Sequence, residues 1–275
     1  MTEAAPRRAV LLLHGLCSSV LEVRQFARLL RDQGFAVVTP TLPGYTASEF
    51  GAKAEDVRPD FRRWIDDCLR ELDRLSAEFD EVSVCGVSLG ATLALALAAQ
   101  RPAAIHGLSL ISTTLFFDGW NISRWRFLLP LAYYTPLGRL YRYRETPPYG
   151  VKNLRVRSWI AAELERGRLS STGAATIPTA SLREADRLIR HVKANLGAVR
   201  TPLLMIHARE DDVASLANVR FVRAHVGTTL FREVIVTDSY HMITLDNDRA
   251  HAAAKMVQFI NGATRLGAVK AMAGA

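Results

Sequence analysis

A Gly-x-Ser-x-Gly pentapeptide at residues 86–90 lies between two apolar segments of different kinds. Residues 82–85 read as a short buried strand, and residues 89–100 read as an alanine-rich helix that is apolar on every side. A serine on the tight turn between such a strand and helix is held in a strained backbone conformation, with its hydroxyl exposed above the sheet. This turn leaves no room for side chains two positions away, so glycine is required at 86 and 90. The pattern predicts an activated nucleophile at Ser88.

A serine hydroxyl is a poor nucleophile until a base takes its proton, and the base in turn needs an acid that orients it. In this architecture the chain order is serine, then acid, then histidine. Five histidines follow Ser88 at useful spacing: His191, His207, His225, His241 and His251. Three of them fall in predicted helices, and His207 ends a predicted buried strand. Only His241 occupies a loop between the last strand-like run and the final helix, so we predict that His241 is the base.

Three consecutive carboxylates, Glu210, Asp211 and Asp212, follow the strand-like run at 203–207. Carboxylates at the carboxyl end of a strand, on the ligand-binding edge of an open α/β sheet, suit an acid that orients the histidine. We favour Asp211, because an aspartate followed by an acidic or small residue and then valine matches the usual acid loop. Asp212 is the alternative, and one of the two could instead cap the helix that begins near Ser215.

Strand-like and helix-like runs alternate over most of the chain. The predicted strands are 9–13, 35–39, 82–85, 107–111, 202–207 and 231–236, and the predicted helices are 19–33, 59–79, 89–100, 181–195, 215–226 and 248–261. This order predicts an α/β fold, with a mostly parallel sheet covered by helices on both faces. With 275 residues, of which 49% are apolar, the chain can bury one large core and carry an inserted helical cap.

Three motifs resemble those of the α/β-hydrolase superfamily, and within it those of small bacterial carboxylesterases and monoacylglycerol lipases, which are serine aminopeptidase-type hydrolases. They are His14-Gly15-Leu16 after the first strand, the pentapeptide at 86–90, and residues 239–246, whose His-x-Ile-Thr-Leu-Asp run is the most specific. The resemblance covers nearly the whole chain except residues 113–175. One departure is Pro43-Gly44-Tyr45-Thr46, where many relatives have Pro-Gly-His-Gly; this loop borders the pocket in relatives and so bears on specificity.

The resemblance implies that Ser88 is the nucleophile, Asp211 the acid and His241 the base. It also implies an oxyanion hole formed by the backbone N–H groups of Leu16 and Leu89. Physical chemistry supports that implication, since Leu89 would lie at a helix N-terminus, where free N–H groups and the helix dipole favour an anion. Two preorganised donors can contribute a few kcal/mol to transition-state stabilisation.

Residues 113–175 interrupt the alternation and are predicted to form a cap over the site, with residues 1–112 and 176–275 forming the hydrolase core. The cap holds ten basic and four acidic residues, so it carries six of the eight formal positive charges of the chain. Three interpretations remain open: a lid whose arginines are simply solvated, recognition of an anionic or amphiphilic acyl substrate, and peripheral contact with an anionic membrane surface. Nucleic-acid binding is not expected, because no recognised nucleic-acid fold accompanies the charge.

These observations predict a carboxylic ester hydrolase that cleaves acyl esters or monoacylglycerol-like lipids by a Ser-His-Asp triad through an acyl-enzyme. Thioesterase or acyltransferase chemistry on acyl-CoA or acyl-carrier substrates uses the same triad and stays open. A non-catalytic binding protein with the hydrolase fold is the alternative from another class. Dehalogenase and epoxide-hydrolase chemistry is disfavoured, because those relatives need a carboxylate at position 88.

No cofactor or metal is predicted, since no Cys/His cluster has metal-ligand spacing and the glycines outside the pentapeptide form no phosphate loop. The three cysteines lie at unrelated positions, and no secretory signal is evident. Both observations favour reduced thiols and a cytoplasmic location. The oligomeric state is not predicted.

Overall fold

The computed structural model describes residues 6–47, 58–135, 142–144, 146–165 and 176–273. Six parallel strands form the main sheet in the order β2-β1-β3-β4-β7-β8, and β5 pairs with β6 in a separate antiparallel ribbon. The strands are β1 (Arg8–Leu13), β2 (Ala36–Val38), β3 (Glu81–Val87), β4 (Leu108–Ile111), β5 (Arg142–Arg144), β6 (Thr176–Pro178), β7 (Leu203–Ala208) and β8 (Phe231–Val236). The helices are α1 (Val20–Asp32), α2 (Phe61–Glu78), α3 (Leu89–Gln100), α4 (Leu129–Tyr134), α5 (Leu154–Glu165), α6 (Thr179–Asn195), α7 (Ala217–His225) and α8 (Arg249–Ala273).

Helices cover both faces of the main sheet, because alternate strand residues point to opposite sides. Leu11 and Leu13 of β1 pack in one buried cluster with apolar side chains of α2, α3 and α6. Val10 and Leu12 of the same strand pack in a second cluster with side chains of α1 and α8. The predicted α/β class and the parallel sheet are confirmed.

The predicted element boundaries agree with the structure to within about three residues, except at the C-terminus. Local caps account for two of the helix starts, since Ser19 accepts a hydrogen bond from the Leu21 N–H and Asp60 accepts one from the Arg62 N–H. The last helix was predicted to end at residue 261, but α8 continues to Ala273. The Asn-Gly pair at 261–262 resembles a helix end, yet the alanine-rich residues that follow favour helix and outweigh this signal.

The inserted region begins after β4 and includes a 3-10 helix (Arg124–Leu128) together with α4 and α5. Strand β5 lies in the middle of this region and β6 follows its end, and the two strands pair, with Tyr143 opposite Ile177. Residues 136–141, 145 and 166–175 of the predicted cap lie outside the described residues, and the cap boundaries remain a prediction. Within the described ranges, no helix combines the length and the apolar character needed to cross a bilayer.

Candidate active site

Ser88 lies on a sharp turn between β3 and α3, with φ 55° and ψ −120°. Such positive φ values are strained for a residue with a side chain, and they occur where the surrounding structure imposes them. The two flanking glycines make the turn possible. A Cβ at Gly86 would lie 2.2 Å from the carbonyl oxygen of Gly90, and a Cβ at Gly90 would lie 2.4 Å from the carbonyl oxygen of His14. Glycine is therefore required at both positions by close backbone contacts, as the sequence predicted.

The structure brings Ser88, His241 and Asp211 into one hydrogen-bonded line. His241 Nε2 lies 2.9 Å from Ser88 Oγ, and His241 Nδ1 lies 2.9 Å from each carboxylate oxygen of Asp211. Because a carboxylate can only accept, Nδ1 carries the proton in the neutral ring, and Nε2 is left as the acceptor for the serine hydroxyl. Thr114 Oγ1 also lies 3.3 Å from Ser88 Oγ.

The two remaining carboxylates of the acid loop hold other partners. Asp212 is buried and accepts a hydrogen bond from the backbone N–H of His241 at 3.2 Å, so it contacts the loop of the histidine and not its ring. Glu210 accepts a hydrogen bond from Lys152 Nζ at 2.8 Å near the surface. Of the three candidate acids, only Asp211 contacts the imidazole.

The other four candidate histidines lie where the sequence predicted, three of them on helices and His207 at the end of a strand. His207 is buried at the end of β7, where its Nε2 donates to the Ala214 carbonyl at 2.7 Å. His191, His225 and His251 lie on helices α6, α7 and α8.

Burial and charge act in opposite directions on the ionisable groups of the site. Burial opposes protonation of His241, but the charge and hydrogen bond of Asp211 outweigh it and raise the pKa of the imidazole above its usual value. Burial would likewise raise the pKa of Asp211, yet the charge of His241 and its hydrogen bond lower it. Burial dominates at Asp212 and raises its pKa. The shifts at His241 and Asp211 have the same cause, the pairing of these two residues, which stabilises the imidazolium that forms when the histidine takes a proton.

The predicted oxyanion donors lie on the two segments that meet at Ser88. Leu89 is the first residue of α3, so its N–H is one of the groups that a helix leaves without an internal partner. Leu16 lies in the loop after β1, which touches the serine turn at Gly90. Among the described residues, neither the Leu16 N–H nor the Leu89 N–H donates to a protein acceptor.

The loop after β1 is fixed from several sides. His14 donates from Nδ1 to the Gly15 carbonyl at 2.7 Å, and Tyr45 donates from its hydroxyl to the His14 carbonyl at 2.9 Å. The Cys17 N–H donates to the Tyr45 carbonyl at 2.8 Å. Tyr45 is 1% exposed, so the residue that stands in place of the histidine of many relatives helps to hold the loop that carries Leu16.

A contact between the inserted region and the histidine loop was not predicted from the sequence. Asp246 is fully buried and accepts hydrogen bonds from the backbone N–H groups of Lys152 at 2.6 Å, Asn153 at 2.9 Å and Tyr240 at 3.0 Å. The sequence pointed to Asp246 only through its place at the end of the His-x-Ile-Thr-Leu-Asp run. Thr114 and Glu22, which also border the site, carried no such signal.

Within the described parts of the chain, no group of three or more His, Cys, Asp or Glu side chains is arranged to hold a metal ion. The three cysteines are buried, and none of them takes part in a disulfide bond.

Residues 4–248 match the model of the family "Serine aminopeptidase, S33". The chain belongs to this family. It is 26% identical over 251 residues to a thermostable monoacylglycerol lipase of Bacillus sp. (strain H-257), a match that covers 91% of this chain and 89% of the relative. It is 23% identical over 255 residues to a carboxylesterase of Bacillus subtilis (strain 168), which covers 92% of each chain.

The fold is also found in solved structures. A structure reported with the metagenome-derived lipolytic enzymes LipS and LipT superimposes with a TM-score of 0.78 at 22% identity, over 95% of this chain and 99% of the other. This similarity confirms the predicted α/β-hydrolase fold. The chain is therefore an α/β-hydrolase of the esterase and lipase type, a carboxylic ester hydrolase as the sequence predicted.

Proposed function

We propose that the protein hydrolyses carboxylic esters of acyl chains, monoacylglycerol-like lipids among them, through an acyl-enzyme on Ser88. The observation that carries this proposal is the hydrogen-bonded line in which His241 lies 2.9 Å from both the Ser88 hydroxyl and the Asp211 carboxylate. The monoacylglycerol lipase and carboxylesterase relatives support the substrate class.

In the proposed reaction, Ser88 Oγ attacks the ester carbonyl carbon while His241 Nε2 takes the hydroxyl proton. Asp211 keeps the proton of the neutral ring on Nδ1 and stabilises the imidazolium that forms. The N–H groups of Leu16 and Leu89 bind the oxygen that becomes negative. The alcohol leaves with the proton from Nε2, and water then attacks the acyl-enzyme by the same steps to release the acid.

We also propose that the inserted region contacts an anionic lipid surface. In its 3-10 helix, Trp125 is 69% exposed and Phe127 is 65% exposed, and the exposed Arg124 and Arg126 alternate with them. Exposed aromatic side chains next to cationic ones suit the boundary between lipid headgroups and acyl chains. A lid at such a surface would receive amphiphilic esters directly.

The test is hydrolysis of p-nitrophenyl esters of rising chain length and of a monoacylglycerol, with acyl-CoA thioesters alongside. We expect Ser88→Ala to lower kcat by on the order of 10⁴- to 10⁶-fold, because triad members act as a unit. Ser109→Ala is the matched control, since Ser109 is also buried and its hydroxyl has no hydrogen-bond partner among the described residues. It should keep kcat within a few-fold of the parent.

A fluorophosphonate probe separates the alternatives. An adduct on Ser88 with ester turnover supports the proposal, and preferential cleavage of the acyl-CoA thioesters would replace it with thioesterase chemistry. A folded protein that forms no adduct and cleaves no substrate would instead be a binding protein with the hydrolase fold.

A further inference from the structure

Glu22 is a buried carboxylate that the proposed reaction does not use. It is 1% exposed and occupies the third position of α1, three residues after the N-cap Ser19. In a Ser-x-x-Glu sequence the glutamate ordinarily returns to the backbone N–H of the N-cap residue. Here Glu22 Oε2 instead accepts a hydrogen bond from the Gly15 N–H at 2.7 Å. Glu22 therefore has the spacing of a helix-capping residue, but it binds the loop after β1 instead.

Gly15 lies close to both the Glu22 carboxylate and the proposed nucleophile. A Cβ built on Gly15 would lie 3.2 Å from Glu22 Oε2 and 3.6 Å from the Ser88 Cβ. Glycine at this position permits that close approach.

The hydrogen bonds around Gly15 determine the direction of the Leu16 N–H. The Gly15 carbonyl accepts from His14 Nδ1 at 2.7 Å and from the Ser18 N–H at 3.3 Å, and the Gly15 N–H is held by Glu22. Because a trans peptide is planar, its N–H points opposite to its carbonyl. The bonds to the Gly15 carbonyl therefore fix the direction of the Leu16 N–H in the same peptide, and Glu22 anchors the preceding peptide at the Gly15 N–H.

From this geometry we infer that Glu22 is a positioning residue of the oxyanion hole, which anchors Gly15, the residue before Leu16, through the Gly15 N–H. The inference rests on the proposed function, since it assigns a supporting role within the proposed oxyanion hole. Glu22 does not touch the substrate in this arrangement and acts through Gly15.

The surroundings of Glu22 explain why removal of its charge should also be visible at His241. Burial raises the pKa of Glu22 to about 7. The Gly15 N–H, the Ser18 hydroxyl and the charge of His241 act in the opposite direction, but burial outweighs them. Neither Glu22 Oε1 nor the Ser18 hydroxyl meets the geometry of a hydrogen bond to a described residue. Burial raises the pKa of the Tyr45 hydroxyl, and the negative charge of Glu22 raises it further.

Three carboxylates face His241, those of Asp211, Asp212 and Glu22, and each raises the pKa of the imidazole. His207 also faces it, and the positive charges of the two protonated histidines would repel each other. Glu22 is the one of the three carboxylates that lies on the oxyanion side of the site. If its charge is removed, the protonated imidazole loses a favourable interaction. The pKa of His241 should then fall, and the acid limb of kcat/KM should move to lower pH.

The test compares Glu22→Leu, Glu22→Gln and a matched control, Glu184→Gln, on p-nitrophenyl ester hydrolysis. Glu184 is the other buried glutamate among the described residues, at 2% exposure, and it is paired with Arg187 on α6. Glu22→Leu removes the acceptor for Gly15, so kcat should fall about 10- to 100-fold while KM stays within about 3-fold. Glu22→Gln keeps an acceptor oxygen, so it should restore most of kcat and move the acid limb to lower pH. Glu184→Gln should do neither.

The outcomes separate this inference from the proposed function. If the parent enzyme cleaves esters in a Ser88-dependent manner but both Glu22 variants behave like Glu184→Gln, only the positioning role is wrong. If the parent cleaves no ester, the proposed function fails first. Should Glu22→Leu not fold, Glu22→Ala takes its place, because an unchanged kcat would overturn the inference and a loss of kcat that Glu22→Gln restores would support it.

Discussion

At the scale of single residues, adjacent aspartates occupy unequal positions around one histidine. Asp211 meets the imidazole with both oxygens, whereas Asp212 meets the backbone N–H of His241. We expect Asp211→Asn to lower kcat by about 10⁴-fold, because its amide N–H₂ facing Nδ1 would favour the wrong tautomer of the ring. Asp212→Asn keeps an oxygen for the His241 N–H and should lower kcat by about 10-fold or less. Steady-state kinetics of the two variants check this, and a larger loss at Asp212 would reverse the assignment of the acid.

The residues that could be predicted from the sequence are those whose role depends on position along the chain. Ser88 lies between a strand and a helix, and His241 lies in the only suitable loop, so elimination was enough to single them out. Glu22 could not be found in this way, because its spacing from Ser19 is that of an ordinary helix cap. Its actual partner, Gly15, becomes its neighbour only when β1 and α1 have packed together.

At the scale of elements, the inserted region is attached to the core through the histidine loop. Asp246 binds the N–H groups of Lys152 and Asn153 just before α5, and it binds that of Tyr240 just before His241. The same joint is strengthened where the Met242 N–H donates to the Gly150 carbonyl at 2.7 Å. No periodicity in the sequence could reveal this joint, since it links segments about 90 residues apart.

We expect Asp246→Ala to destabilise this joint, because four backbone N–H groups, those of Lys152, Asn153, Tyr240 and Asn247, lose a charged acceptor inside the protein. The free energy of unfolding should fall by about 2–4 kcal/mol. Hydrogen exchange should accelerate at residues 150–160 and at the histidine loop before it does so in β3 and α3. Asp60→Ala is the control, since Asp60 caps α2 with a single side-chain hydrogen bond and the loss of such a cap costs about 1 kcal/mol. Equal exchange in α5 for both variants would contradict the proposed joint.

At the scale of the whole molecule, charge and exposed apolar surface coincide in the inserted region. Seven of the nine exposed large hydrophobic side chains among the described residues lie between positions 120 and 159, and the two others, Val20 and Leu29, lie on α1. The same region contributes most of the formal charge of +8. The core could be predicted from the periodicity of apolar residues. The exposed surface could not, because the sequence does not tell which aromatic side chains pack in the core and which stay in solvent.

This distribution predicts preferential binding to anionic vesicles, measured by flotation with phosphatidylglycerol against phosphatidylcholine alone. Replacing Arg124 and Arg126 with glutamine should weaken binding to anionic vesicles by about 5-fold for each arginine, since each contributes on the order of 1 kcal/mol near such a surface. Trp125→Ala should weaken binding to both vesicle types, whereas Leu29→Ala, which removes an exposed leucine on α1, should not. Binding through charge should also fall as the salt concentration rises to 1 M, where screening extends over only about 3 Å. Equal affinity for both vesicle types at low salt would contradict a role of the arginines at the interface, and would leave a solvated lid and recognition of an anionic substrate as the interpretations of the basic cap.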